Sequence, residues 1–407
     1  MRVPSALTRR APAALLLAGS VVLTACSESG TGVLPRDDEP QAAQTPSCTP
    51  APLVDRAGAV LMVGLPEITD PDDPLVQEVV DLGVSGVFLV QENVVSAAQV
   101  TALTSGIRER AGRPVLVSTD EESGRVSVFR KIVGNSSAPR TLAARRTPEQ
   151  VREIGSELGT SLSELGVDLD LAPNLDLDDG PSGGIIGDRS WSPDPATTAE
   201  YGLAFARGLA DGGVRPTVKH FPGHGRSAVD THAAGDVVEA SIDELRDTDL
   251  LPFERAVEAG IPVVMLNHLA YSVLDPDLPA SVSPKAYSLL REMGFEGVAI
   301  TDSLGMGAVH SRWDFPESAV RAIEAGADVA LGKDGTRARE MRDAIVQAVE
   351  SGRLPEERLN EAAARATALA GGDPQKLACT DAVLPTLAEP TAVAPTATPA
   401  SPSPAAQ

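Results

Sequence analysis

The chain has 407 residues, 57 acidic against 34 basic, for a formal charge of −23, and 42% of it is hydrophobic. That length and apolar content suffice for one large domain or two ordinary ones, each with a full core. So acidic a chain repels phosphate backbones and anionic headgroups, which excludes nucleic acid and a bare membrane surface as expected partners.

Residues 1–25 read as a secretory signal. Arg2, Arg9 and Arg10 precede the apolar run AALLLAGSVVLTA, which is too short to span a bilayer. Leu23-Thr24-Ala25-Cys26 resembles a bacterial lipobox, where cleavage before the cysteine leaves it lipid-modified. The alternative is an ordinary signal with an incidental cysteine. With Cys26 acylated, the protein is expected outside the cytoplasm, held to the outer face of the bacterial cytoplasmic membrane through the lipid alone. Residues 26–50 are polar, proline-bearing and aperiodic, as a tether is. Residues 51–372 make a single body, and the Pro/Ala/Thr-rich stretch 373–407 is expected to be largely disordered.

Within the body, short apolar runs alternate with helical patterns. The runs are 59–65, 84–90, 114–120, 167–173, 214–220, 261–268, 296–302 and 327–332. Most are rich in Val, Ile and Leu, and several lack polar alternation, as parallel strands buried on both faces do. Helix starts are marked by Asp73 before Pro74, by Thr147 before Pro148, and by Ser241 with Glu244. Eight strand–helix repeats and no G-x-G-x-x-G after the first strand predict a single-domain α/β fold, the (β/α)8 TIM barrel. A last helix over 355–371 closes it. Cys48 and Cys379 flank this body. Spare thiols outside the cytoplasm tend to pair, and a closed barrel brings its ends together, so they are a candidate disulfide.

The active site of such a barrel lies at the C-terminal strand ends, which here carry Asp120, Lys219, His220, His268 and Asp302. The segment KHFPGHG (219–225) concentrates two of the five histidines, with His232 soon after. Pro222, Gly223 and Gly225 oppose the helix that would pair His220 with His224 as metal ligands, and Lys219 would repel a cation. No metal and no cofactor are expected. Asp230 precedes His232 by two, and a carboxylate so placed can accept an imidazole N–H and support proton transfer. Asp302 could be a nucleophile, a charge stabiliser or a helix cap. Arg189 could pair with a carboxylate or reach a ligand, and the triplet Asp120-Glu121-Glu122 could grip vicinal hydroxyls or stand as a solvated charge cluster.

Taken in order, DEESGRV (120–126), IGDRSW (186–191), KHFPGHG (219–225), DTH (230–232), NHLAY (267–271) and TDSLGM (301–306) resemble the β-N-acetylglucosaminidases of glycoside hydrolase family 3, in particular the short bacterial enzymes that act on peptidoglycan fragments. The resemblance implies a retaining exo-glycosidase that forms a covalent glycosyl-aspartate on Asp302. It implies His232 as acid/base with Asp230 as its partner, and Asp120, Arg189, Lys219 and His220 as the groups that hold N-acetylglucosamine. The implied partners are N-acetylglucosamine-bearing saccharides from peptidoglycan, and a monomer is expected. An imidazole ordinarily titrates near neutrality, so a histidine can serve as the acid without the upward shift a glutamate needs.

Two positions depart from the family pattern. Ser123 stands where a glycine is usual, and Val128 where a second arginine is, with Arg130 nearby. Ser123 fits easily only at negative φ; a left-handed backbone there would cost about 1–2 kcal/mol. The competing readings are a non-catalytic muropeptide-capturing lipoprotein and a phosphorylase that uses phosphate as acceptor. A β-glucosidase of the same family would normally bring a second domain.

Overall fold

The computed structural model describes residues 48–389, so Cys26 and the signal and tether segments lie outside the described residues, as do 390–407. Eight parallel strands follow in chain order: β1 Leu61–Gly64, β2 Gly86–Phe88, β3 Leu116–Thr119, β4 Leu169–Asp170, β5 Arg215–Phe221, β6 Val263–Leu266, β7 Val298–Thr301 and β8 Ala330–Gly332. Each pairs with the next through β7. An isolated Ile300–Val329 bridge joins β7 to β8, and β8 pairs back onto β1, closing the barrel. Every strand falls within a run marked in the sequence, except that β5 continues one residue further, to Phe221.

Alternation inside the strands explains why apolar residues fall on both of their faces. Met62, Phe88, Leu116, Leu169, Val263, Met265, Val298, Ile300 and Leu331 fill the barrel interior. Their neighbours Leu61, Val63, Val87, Val117, Val264, Leu266 and Ala299 pack outward against the helices. Both faces are dry, so both must be apolar.

The helices start where the sequence predicts. Asp73 caps Pro74–Asp81 through the Leu75 N–H, and Thr147 with Gln150 and Ser241 with Glu244 form reciprocal capping boxes. The last long helix, Glu356–Leu369, lies across the N-terminal end of the barrel, where Ala366 and Leu369 join the interior cluster.

One expectation is corrected. The tail does not begin at 373: Pro374–Ala378 is a helix, and the chain then crosses the barrel floor. Leu384 packs on the interior cluster and Leu387 on the outer core. The Ala388 N–H donates to Ala259 O at 2.8 Å, and Glu389 pairs with Arg152 at 2.8 Å. Gly260 permits the crossing, since a Cβ there would overlap the Thr386 carbonyl. Composition averaged over the whole tail hides these two leucines. Cys48 and Cys379 are joined in a disulfide with Cα atoms 5.7 Å apart, and the Ala51 N–H donates to Leu377 O, so both ends of the body meet at the floor.

Candidate active site

The interior phase of the strands carries past their ends. Asp302 lies two residues beyond the inward-facing Ile300, and Asp120 four beyond Leu116. After β3 the chain makes a short antiparallel ribbon, Glu121–Ser123 with Val126–Ser127, and strand alternation splits the acidic triplet. Asp120 and Glu122 meet Lys219, whose Nζ is 2.6 Å from each carboxylate. Glu121 turns the other way and accepts the Phe129 N–H at 2.7 Å.

Arg189 arrives on a short turn, Gly187–Arg189, in the loop after β4. Its Nε and Nη2 donate to the two oxygens of Glu122 at 2.7 and 2.6 Å, and Nη2 lies 3.5 Å from His220 Nε2. Arg125 clamps this loop by donating to the carbonyls of Gly184, Ile185 and Ile186. His220 is fixed from its other side, with Nδ1 2.6 Å from Asp176, which also accepts the backbone N–H groups of His220 and His224. Gly225 lets the 219–225 turn press on the β4 loop, since a Cβ there would overlap the Leu177 carbonyl. Asn267 and Tyr271 hold the turn from β6, donating to the carbonyls of His220 and Gly223.

Burial opposes every charge in this group; the ion pairs overcome it at Glu122, Lys219 and Arg189, whereas at Asp120 burial prevails over Lys219 and raises the carboxyl. Arg189 and Lys219 hold the Glu122 carboxyl well below its ordinary value, and Asp120 and Glu122 raise Lys219. Asp302 is likewise disfavoured as an anion by burial. His268, His220, the Ser303 N–H and Lys219 outweigh that, and the net shift is downward, so Asp302 is an ionised carboxylate at neutral pH. His268 is buried, which lowers its pKa; its ring nitrogens lie 2.7 Å from Ser281 Oγ and 2.9 Å from Ser303 O, fixing the backbone just after Asp302.

His232 and Asp230 form a separate pair. His232 Nδ1 is 2.9 Å from Asp230 Oδ1, and the imidazole is 75% exposed. The loop carrying it docks on the loop after β7, where the N–H groups of Gly307 and Ala308 donate to the carbonyls of His232 and Thr231. Buried His224, with Nε2 3.4 Å from Thr231 Oγ1, braces this loop from beneath.

Residues 54–369 match the model of the glycosyl hydrolase family 3 N-terminal domain. The chain belongs to glycosyl hydrolase family 3. Over 383 residues it is 34% identical to the β-hexosaminidase LpqI of Mycobacterium tuberculosis, covering 89% of this chain and 97% of that protein. The solved structure of M. tuberculosis LpqI superposes with a TM-score of 0.73 at 35% identity, over 81% of this chain and 98% of that one. A family 3 β-N-acetylglucosaminidase from Paenibacillus sp. superposes with a TM-score of 0.75 at 31% identity, over 85% and 66%. The protein is therefore a glycoside hydrolase built on a TIM barrel.

In this family 3 barrel, Asp120, Arg189, Lys219 and His220 form one hydrogen-bonded group beside Asp302, whereas the loop carrying Asp230 and His232 docks on the loop after β7 and on His224. The sequence reading missed Glu122, Asp176 and Asn267. Glu122 was legible, because D-x-E after a strand puts both carboxylates on one face; nothing in NLDLDD separates Asp176 from Asp178 and Asp179. Glu121 and Glu122 are buried, so the triplet is no solvated cluster. Ser123 takes φ 75°, the costly left-handed conformation, and its buried Oγ has no hydrogen-bond partner. Val128 packs on the core, and Arg130 donates to Gly124 O at 2.5 Å, inside its own loop. Among the described residues no group of three or more His, Cys, Asp or Glu side chains is placed to hold a metal. A cavity of about 740 Å³ opens on the floor beside Ala51, Arg113 and Lys376 and contains none of these groups.

Proposed function

We propose that this hydrolase is a retaining exo-β-N-acetylglucosaminidase that removes terminal N-acetylglucosamine from peptidoglycan fragments. One observation carries the reading. Asp302, an ionised and partly exposed carboxylate, stands beside the Arg189–Lys219–His220 group at the barrel mouth, while a candidate proton carrier, His232, is exposed on a loop tied to Asp302's own. The similarity to named β-hexosaminidases supports the choice of sugar.

In this reading Asp120, Arg189, Lys219 and His220 grip the sugar. The Asp302 carboxylate attacks the anomeric carbon as the glycosidic bond breaks, and His232 gives its proton to the departing oxygen. Asp230 accepts the Nδ1–H throughout, leaving Nε2 to carry the proton. Water then attacks the glycosyl-aspartate, losing its proton to His232 and freeing Asp302.

Hydrolysis of an aryl β-N-acetylglucosaminide, compared with the aryl β-glucoside, tests this. The first should turn over, the second should not, and Asp302→Asn should abolish turnover in a folded protein. Turnover by folded Asp302→Asn would remove the nucleophile assignment. Release of N-acetylglucosamine from purified muropeptides tests the natural substrate, and its absence there would restrict the reading to other saccharides. We further propose that Cys26 is lipid-modified and holds the mature enzyme outside the cytoplasmic membrane. Cys26→Ser should then move the protein from the membrane fraction to the soluble one, and an unchanged distribution would remove the anchor.

A further inference from the structure

Glu122 takes three charge-assisted contacts at the mouth, and the proposed mechanism leaves it without a part. Its side chain is 1% exposed, and both of its oxygens are already taken by Arg189 and Lys219. Its two oxygens take both Arg189 donors, at 2.7 and 2.6 Å, and Oε1 also lies 2.6 Å from Lys219 Nζ. Lys219 in turn reaches Asp120 at 2.6 Å. Three segments from different strands, the ribbon after β3, the turn after β4 and the end of β5, thus meet on one carboxylate.

We propose that Glu122 is a positioning residue: it locks Arg189 and Lys219 into one rigid sugar-reading unit and cancels one of their two charges, so that the mouth accepts a neutral sugar rather than an anion. The inference rests on the roles proposed above for Arg189 and Lys219. A fork-on-fork pair fixes the plane of a guanidinium, which a single bond would leave free to rotate. The lysine stem has four rotatable bonds, and two carboxylates pin its end before substrate arrives, removing an ordering cost from the binding step. Within the hydrogen-bonded cluster the formal charges pair off, Arg189 and Lys219 against Asp120 and Glu122, with the Asp302 carboxylate beside it. Without Glu122 the Arg189 guanidinium would lose its carboxylate partner, and an unpaired cation in a partly dry site attracts small anions strongly. A buried ion pair can also be merely structural, so the test needs readouts that stability alone would not move.

Glu122→Gln keeps the shape and removes the charge. We expect its dissociation constant for N-acetylglucosamine, by calorimetry, and its KM for the aryl substrate to rise at least tenfold, with kcat falling by a smaller factor. Millimolar sulfate should inhibit this variant competitively and leave the wild type unaffected. Glu122→Gln combined with Arg189→Lys should lose no more than the worse single variant, within about twofold, because the two residues act as a unit. A folded Glu122→Gln with wild-type KM and no sulfate inhibition overturns the proposal, as do losses that multiply in the double variant. Should Glu122→Gln not fold, Glu122→Asp decides: it keeps the charge but misplaces the fork, so a raised KM without sulfate inhibition supports the role, and a wild-type KM overturns it. A wild type that neither binds nor releases N-acetylglucosamine would defeat the proposed function, while the contrast in sulfate binding, read by thermal shift, would still judge the charge role of Glu122.

Discussion

Asp120, Glu121 and Glu122 are chemically alike and adjacent, and strand alternation alone gives them different fates. Two face the cations of the mouth. Glu121 is buried on the opposite side with no cation in direct contact, and burial pushes its carboxyl up to about 7. A raised acid stabilises the fold only while protonated. Its contribution is intact below the unfolded value near 4.5 and is lost as pH rises through about 7, a change of about 3 kcal/mol. Glu121→Gln should therefore be the more stable form above pH 7 and match the wild type at pH 4, as denaturant midpoints would reveal; equal midpoints across that range would show that Glu121 stays ionised in the folded protein. His232→Ala is expected to spare aryl substrates, whose leaving groups scarcely need a proton, and to cost two or more orders of magnitude on a disaccharide. Equal losses on both would take His232 out of the acid role.

Between elements, charge is spent at the end of the barrel away from the chemistry. Asp328, just before β8, is buried and accepts hydrogen bonds from Arg291 at 2.6 Å, Arg358 at 2.7 Å and Arg365 at 3.2 Å. One carboxylate so binds the closing helix and the helix Pro284–Glu292 to the sheet. Burial works against this anion, but the three guanidiniums prevail and lower its pKa. A lowered acid contributes stability that is present above the ordinary carboxylate range and is lost as pH falls through the folded value. Asp328→Asn leaves three arginines short of charge and should cost about 3–5 kcal/mol at pH 7, with KM unchanged in the folded fraction. A loss below 1 kcal/mol in urea unfolding would mean that the arginines find solvent instead.

At the scale of the whole molecule, the two barrel ends divide the work. The mouth concentrates strained and charged groups: Ser123 at positive φ, its orphaned hydroxyl, and the buried ion pairs around Glu122. The floor supplies compensation through the closing helix, the crossing segment with Leu384 and Leu387, and the disulfide. That bond links residues 331 apart in sequence, so it restricts nearly the whole unfolded chain. Replacing Cys48 and Cys379 by serine should lower stability by about 2–5 kcal/mol. The kinetic constants should stay within about twofold, since floor and mouth are opposite ends of the barrel. An altered KM would show that the two ends are coupled.

The eight strands, the helix caps and the ionisable groups at the strand ends were all legible in the sequence, because each follows from local periodicity or from a short motif. The KHFPGHG segment and the D-x-H after it carried the family for the same reason. Tertiary structure alone decided the rest. Whether Ser123 sits at negative or positive φ, whether Arg189 meets a carboxylate, whether Asp176 rather than Asp178 faces His220, and where the tail stops being part of the barrel all depend on segments far apart in the chain. Local pattern fixes which face of its own strand a side chain takes, but what lies opposite is set by closure of the barrel, which brings the loops after β3, β4 and β5 to within hydrogen-bond distance of one another.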